Sequence, residues 1–128
     1  MNGQDKKGGV NKAINRLLIN MTVRTLWIYV LATLREGPTY PYHLKKIIRQ
    51  KFSFSPPTVT LYTVVYKLEK DGLIEKTPDG MYRITEEGAN ALDMGSRLLL
   101  NMAHRVSRLS ASAVTVEEAK ASSNEGPQ

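Results

Sequence analysis

The stretch that decides the fold is SPPTVTLYTVVYKLEKDG, residues 55–72. Leu61, Val65 and Leu68 recur at i, i+4 and i+7, which is the spacing of one apolar helix face. The other faces carry hydroxyls, tyrosine rings and lysines, at Thr58, Thr60, Tyr62, Thr63, Tyr66, Lys67 and Lys70. Side chains of these types contact the phosphates and base edges of nucleic acids. The stretch therefore predicts a two-faced helix that packs by one face and binds by the other.

The composition agrees with a polyanionic partner without proving one. The chain of 128 residues fits a single domain and has a formal net charge of +6. It contains no cysteine, which excludes a disulfide scaffold and a thiolate zinc site. No uninterrupted apolar run reaches the roughly 18 residues of a membrane span. We expect a cytoplasmic protein with no membrane partner.

Three helices are predicted before this stretch. Residues 1–10 are rich in glycine and polar residues and are expected to be disordered. Asn11 is the expected N-cap of the first helix, and the apolar segment TLWIYVLATL, which could be a helix or a strand, is assigned to the second. Pro41 suits the first position of the third helix, TYPYHLKKIIRQKF. Ser55 is the expected cap of residues 58–70, which it precedes together with two prolines.

A β-hairpin and a long helix are predicted after it. Residues 73–77 and 81–85 are short β-prone segments joined by a Pro78-Asp79-Gly80 turn. The turn carries an acid and no base, so we expect its tip to contribute little to phosphate binding. Thr85 is the expected cap of a helix over residues 86–113, and residues 114–128 are expected to form a disordered tail.

The long helix carries a heptad pattern that favours dimerisation. Leu92, Leu99 and Val106 recur every seven residues, and Met102 and Leu109 follow the last two of them by three places. The alternative is a helix folded back on its own core. We favour the dimer, because the first helix also has a spare apolar face, which includes Leu17 and Leu18.

The order of elements indicates a mainly α fold with a small β-hairpin. It is the order of a winged helix-turn-helix domain over residues 11–85, whose recognition helix enters the major groove of DNA. An extra N-terminal helix precedes it, and the dimerisation helix over residues 86–113 follows.

Residues 24–95 also resemble the PadR family of transcriptional regulators. The motifs that carry the resemblance are LYxxxYxLExDGLI, which starts at Leu61, and YRITEEG, which starts at Tyr82. The resemblance implies a homodimeric repressor that binds a palindromic operator in double-stranded DNA, often with release by a small-molecule effector. The chain has Tyr40-Pro41 where the family usually has His-Gly, and Pro57 where a glycine is common.

The candidate site residues follow from the helix chemistry and the resemblance together. For DNA binding they are Tyr42, Lys45, Ser55, Thr58, Thr60, Tyr62, Thr63, Lys67, Lys76 and Arg83. Trp27 is a candidate for lining a ligand pocket, although ordinary packing is the simpler interpretation. The two histidines, His43 and His104, are far apart, so no metal site and no cofactor are expected. The sequence contains no nucleophile–base–orienter pattern, so we expect no enzymatic activity.

Two simpler interpretations stay open at this point. The charge run Lys45, Lys46, Arg49 and Lys51 is, taken alone, better explained as a solvated helix face. The same scaffold can also serve as a protein–protein interaction module that never touches DNA, and the sparse basic content of the hairpin motivates that alternative.

Overall fold

The computed structural model describes residues 3–110 and the side chains of residues 8–110. Five α-helices and one hairpin follow one another along these residues, and a 3-10 turn, Val23–Thr25, separates the first two helices. Their bounds are α1 Gly3–Met21, α2 Leu26–Arg35, α3 Pro41–Phe52, α4 Thr58–Lys70, β1 Ile74–Lys76, β2 Tyr82–Ile84 and α5 Glu86–Arg108. The predicted fold, mainly α with a small hairpin, is confirmed.

The described residues divide into two compact units at the Asp93–Met94 bond, which lies within α5. The first unit contains α1 to α4, the hairpin and the first two turns of α5. The second contains the rest of α5.

The core of the first unit forms around α2, which packs against α3, α4 and β2. Five apolar side chains of α2 are buried, which explains why this segment is apolar on more than one side. The core cluster is Leu26, Val30, Leu31, Leu34, Leu44, Ile48, Leu61, Val65, Leu68, Ile74 and Tyr82. The stripe predicted on residues 58–70 is therefore the core-facing side of α4.

Residues Gly8–Arg35 together are long and apolar enough to cross a membrane, by length and composition only. The stretch runs through two helices and the turn between them, and its last ten residues are α2. The side chains of Val30 and Leu31 are fully buried in the core of the domain. A core helix gives the same composition as a membrane span, and α2 is such a helix.

Three side-chain hydroxyl groups bind the C-terminal end of α1. The side chains of Thr22, Thr25 and Tyr29 each donate a hydrogen bond to a carbonyl oxygen in the last turn of α1, at 2.5–2.6 Å. The Leu18 carbonyl also accepts from the Thr22 N–H at 3.0 Å. The carbonyls of Asn20 and Met21 lie where a helix has no N–H of its own to offer, so the Thr25 and Tyr29 hydroxyls supply their donors. Burial raises the pKa of the Tyr29 phenol, which therefore stays protonated as a donor.

The helix boundaries differ from the expected ones at three places. α1 begins at Gly3 and not at Asn11, because its glycines weaken a helix by only about 1 kcal/mol each and no proline interrupts it. The N-cap of α4 is Pro57 and not Ser55, and no side chain caps it. α5 ends at Arg108, short of the expected residue 113, and the expected tail at 114–128 lies outside the described residues.

The hairpin has the predicted turn and gains a third short partner. β1 and β2 pair antiparallel with Glu75 opposite Arg83, and Gly80 adopts φ 87° in the turn. Thr39, in the loop before α3, exchanges two backbone hydrogen bonds with Tyr82, at 3.0 and 2.8 Å. The hairpin is thus attached to the loop that leads into α3.

The start of α5 is locked to the end of α4 by Thr85 and Gly88. The Thr85 hydroxyl accepts from the Gly88 N–H at 3.0 Å, which confirms the predicted cap, and donates to the Gly72 carbonyl at 2.7 Å. The Thr85 N–H donates to the Leu73 carbonyl at 3.1 Å. A Cβ at position 88 would overlap that carbonyl oxygen and would lie 2.8 Å from Ile84 Cγ1. Close backbone approach therefore requires glycine here.

We predict that Gly88→Ala destabilises the protein by about 3 kcal/mol, because the obstructing atom is backbone and cannot rotate away. The free energy of unfolding in urea, followed by circular dichroism, measures the effect. Gly9→Ala is the matched control: a Cβ there meets nothing within 4 Å, so it should be neutral or stabilising. Equal effects of the two substitutions would contradict the close-approach explanation.

Candidate nucleic-acid interface

The turn between α3 and α4 is built from an aromatic cluster and a strained serine. Ser53 ends α3 in the left-handed region, with φ 62°. The Tyr29 ring packs edge-on against Phe52 and Phe54, with ring centroids 4.9 and 5.0 Å away. Pro56 is fully buried. Because both sides of the turn are anchored to the core, the start of α4 has a fixed position relative to α3.

A basic groove lies along α3 beside this turn. It has a volume of about 350 Å³ and is lined by Tyr42, Lys45, Lys46, Arg49 and Ser55. Three of the five lining side chains are cationic, and Ser55 adds a hydroxyl. Phosphate oxygens are bound in proteins by such lysines, arginines and hydroxyls. The sequence-predicted residues Tyr42, Lys45 and Ser55 are therefore brought together.

Lys45 joins the basic groove to the first residue of α4. Its Nζ donates to Thr58 Oγ1 at 3.0 Å, across 13 residues of sequence. The acceptor is a hydroxyl and not a carboxylate, so the bond positions the ammonium group without neutralising it. The Thr58 hydroxyl keeps its own hydrogen for a further acceptor.

Tyr42, which lines the basic groove, packs against two further aromatic rings. Tyr42 is exposed, stacks on Tyr40 at 5.3 Å between centroids, and meets His43 edge-on at 4.5 Å. Tyr40 is the N-cap of α3 in an extended conformation, with Pro41 at the first helical position. The Tyr40-Pro41 pair, the point of departure from the family pattern, thus still starts the helix and also supports the Tyr42 ring.

The remaining predicted residues of α4 divide by exposure. Tyr62, Thr63 and Lys67 are exposed, whereas Thr60 is half-buried. The Thr63 hydroxyl donates to the Val59 carbonyl at 2.9 Å, so it is engaged within the helix. Tyr62 is 44% exposed and lies off the buried stripe, so it is not a core aromatic.

The hairpin offers less free charge than its two basic residues suggest. Arg83 Nε donates to Glu75 at 2.9 Å, and Lys76 Nζ lies 5.5 Å from the centre of the Tyr82 ring. The Tyr82 hydroxyl donates to Glu69 of α4 at 3.0 Å. Burial, and then the Glu69 carboxylate, raise the pKa of this phenol, which keeps the bond intact well into alkaline solution. The hairpin is thereby fastened to α4.

Sequence reasoning missed three residues of the candidate DNA-binding surface, which are Lys46, Arg49 and Val59. Lys46 and Arg49 line the basic groove, whereas Lys51 of the same charge run is paired with Glu36 at 2.5 Å. The sequence held no signal to separate them, because Glu36 is 15 residues from Lys51. Val59 is 80% exposed in the first turn of α4. The sequence did contain a signal for Val59: it is an apolar residue of α4 that lies outside the buried stripe of Leu61, Val65 and Leu68.

Trp27 lies in a separate groove of about 370 Å³ within the first unit. The side chain packs against the core cluster, as the simpler interpretation predicts, and also borders the groove. The lining is mostly apolar, from Val23, Leu26, Val64, Leu68, Leu73 and Ala91, with Arg24, Lys67 and Asp71 at polar positions.

The predicted dimerisation residues differ in exposure. Leu92 is half-buried and packs against the core cluster of the first unit. The others are exposed large apolar side chains, at Leu17, Leu18, Leu99, Met102, Val106 and Leu109. The seven-residue spacing of α5 therefore includes one core position, Leu92, and later positions whose side chains are exposed.

Comparison with known proteins gives a consistent result. Residues 30–94, which are 65 of the 128 residues, match the model of a family described as Transcriptional regulator PadR-like family. No curated protein matches the chain.

Three examples represent the solved structures to which the chain is similar. A transcriptional regulator from Clostridium thermocellum has 26% identity and a TM-score of 0.58, over 66% of this chain and 91% of that one. A PadR family transcriptional regulator from Eggerthella lenta has 25% identity and a TM-score of 0.63, over 79% and 95%. F93 from STIV, a winged-helix DNA-binding protein, shares the fold at 20% identity and a TM-score of 0.53, over 59% and 88%.

Proposed function

Because this chain belongs to the PadR-like family of transcriptional regulators, we propose that it binds double-stranded DNA sequence-specifically, as a homodimer, and represses transcription. It carries out no catalysis in this role, and its place of action is the cytoplasm. The observation that carries the proposal is the basic groove on α3, which continues through the Lys45–Thr58 bond into the exposed face of α4.

The start of α4 adds to the positive potential of the groove. The N-terminus of a helix carries partial positive charge and N–H groups without partners in the helix. No side chain caps α4, so these groups are left to a ligand. A DNA phosphate beside Thr58 would meet the helix end, the Lys45 ammonium and the basic groove together. In this arrangement α3 crosses the backbone and α4 enters the major groove.

The homodimer rests on apolar side chains that the single chain leaves exposed. Leu99, Met102, Val106 and Leu109 keep the heptad spacing of α5, and α1 presents Leu17 and Leu18. A two-fold dimer would place two copies of α4 on a palindromic operator, with half-sites one helical turn, or roughly 34 Å, apart.

We also propose that a small-molecule effector binds in the Trp27 groove. Its volume of about 370 Å³ falls in the range of ligand pockets, roughly 300–1,000 Å³, and its lining is mainly apolar with a few charged groups. Lys67, a candidate for DNA contact, belongs to this lining. A ligand that engages Lys67 would compete with the backbone contact of that side chain.

The salt dependence of DNA binding tests the proposed function against the protein-interaction alternative. Fluorescence anisotropy with a labelled mixed-sequence duplex, between about 50 and 200 mM NaCl, should give log affinity falling linearly with log salt concentration. Arg49→Ala should reduce the slope by about 1 per bound subunit, because Arg49 lines the basic groove.

Lys51→Ala is the matched control, since it removes one charge from the same helix at a side chain already paired with Glu36. It should leave the slope unchanged. Absence of binding at about 50 mM NaCl would refute the proposed function and favour the protein-interaction module.

The dimer is tested by Leu99→Asp. Leu99 belongs to the heptad seam, which we define as Leu92, Leu99, Met102, Val106 and Leu109. An aspartate there should dissociate the dimer, because a carboxylate would be buried without a partner. Sedimentation velocity should then report the 14.3 kDa chain in place of twice that mass. Leu100→Asp is the control: Leu100 is also exposed but lies outside the seam, so this variant should stay dimeric. A Leu99→Asp variant that remains dimeric would refute the seam.

A further inference from the structure

The outward face of α4 is an apolar and aromatic stripe. Val59, Tyr62, Thr63 and Tyr66 recur at i, i+3, i+4 and i+7 and are all exposed. We name these four residues the outer stripe. Val59 is nine residues from the buried Leu68, which is half a turn round a helix of 3.6 residues per turn. α4 thus has two apolar stripes on opposite sides, and only one of them is packed.

The two smaller members of the outer stripe present methyl groups. Val59 has no polar atom in its side chain. Thr63, one helical turn later, has its hydroxyl hydrogen committed to the Val59 carbonyl at 2.9 Å. Toward a ligand Thr63 therefore offers a methyl group and lone pairs, and no donor. Residues four apart on a helix are neighbours, so the methyl groups of Val59 and Thr63 form one surface.

Before its last turn, α4 lacks the side chains that identify purines. Arginine and lysine recognise guanine by two hydrogen bonds, and asparagine and glutamine recognise adenine in the same way. α4, with the sequence TVTLYTVVYKLEK, contains no arginine, asparagine or glutamine, and its two lysines are in its last turn. The apolar group that the major groove exposes is the C5 methyl of thymine.

We propose that α4 recognises thymine methyl groups through the outer stripe, with Val59 as the central contact. The inference rests on the proposed DNA binding and adds the chemical feature that is recognised. Val59 discriminates thymine from cytosine, because only thymine carries a methyl group at the position that a valine side chain can cover. Tyr62 and Tyr66 flank this contact with ring edges and hydroxyls.

The charges around the outer stripe identify its partner as a duplex. Lys45 is bonded to Thr58, directly before Val59, and leads into the basic groove with Lys46 and Arg49. Lys67 and Lys70 lie in the last turn of α4. An apolar surface bordered by cations matches a major groove, whose floor exposes methyl groups and whose walls are phosphates. A protein partner would need an apolar centre with an acidic border.

The length of the outer stripe sets how many bases it can cover. Val59 and Tyr66 are seven residues apart, which is about 10.5 Å along the helix axis. Base pairs are stacked every 3.4 Å, so the outer stripe extends over about three base-pair steps. Each half-site should therefore contain thymine within a core of about four base pairs, which three steps connect.

Replacement of thymine by deoxyuridine tests the inference, because it removes only the methyl group. Duplexes retained by the purified full-length protein from a random pool supply the starting site, and each thymine is replaced in turn. At one or more positions in each half-site we expect affinity to fall about fourfold. That corresponds to about 0.8 kcal/mol for one buried methyl, at 1.4 kcal/mol per tenfold change.

The assignment to Val59 is tested by combining the base change with Val59→Ala. The variant should bind the thymine and the deoxyuridine duplex equally at that position, because the apolar partner is gone. Val10→Ala, the same change at an exposed valine of α1, should keep the fourfold difference. Val59→Thr, which keeps one methyl group and nearly the same shape, should give an intermediate difference.

Three results would overturn the inference. One is an affinity within twofold of the original for every deoxyuridine duplex. Another is an undiminished fourfold difference in both Val59→Ala and Val59→Thr, with helix content unchanged by circular dichroism. The third is a random pool from which no duplex is retained, which would refute the proposed DNA binding itself and is distinguishable from the first two.

Discussion

Burial of one face of α4 is the constraint on which the binding surface depends. Leu61, Val65 and Leu68 are at most 4% exposed, and each contributes about 1.5–3 kcal/mol by leaving water. An exposed ion pair contributes about 0–1 kcal/mol, so packing and not charge decides how α4 is rotated. Once this stripe is fixed, helix geometry determines that Val59 and Tyr66 face outward.

Hydrogen bonds hold both ends of the helix that the core has oriented. Lys45 bonds to the hydroxyl of Thr58 at its start, and Glu69 near its end accepts from Tyr82 of the hairpin. Two acidic side chains form ion pairs outside the basic groove: Glu36 pairs with Lys51, and Glu75 pairs with Arg83. Positive charge is therefore concentrated at the basic groove and not on the hairpin, and the hairpin serves mainly to support α4.

Local sequence signals predicted much of this arrangement. The apolar stripe and Asp71-Gly72 predicted α4 over residues 58–70, and the Pro-Asp-Gly turn predicted the hairpin, because both depend on neighbouring residues only. Residues 3–10 were expected to be disordered but belong to α1, since glycine weakens a helix without forbidding it. The groove cations Lys46 and Arg49 were not separated from Lys51, because the acid that pairs with Lys51 is distant in sequence. Val59 was missed because its side chain has no polar atom, so hydrogen-bonding chemistry did not indicate it.

The most direct test of the account is a titration of the uniformly 15N-labelled full-length protein with duplex DNA, followed in 1H–15N correlation spectra. The outer face of α4 and the basic groove form the contact surface, so the largest shift changes should fall on the backbone amides of residues 42–46 and 58–63. The turn at residues 78–80 should change little. Binding of the duplex with its largest changes in α1 or in that turn, and none in residues 58–63, would contradict the account.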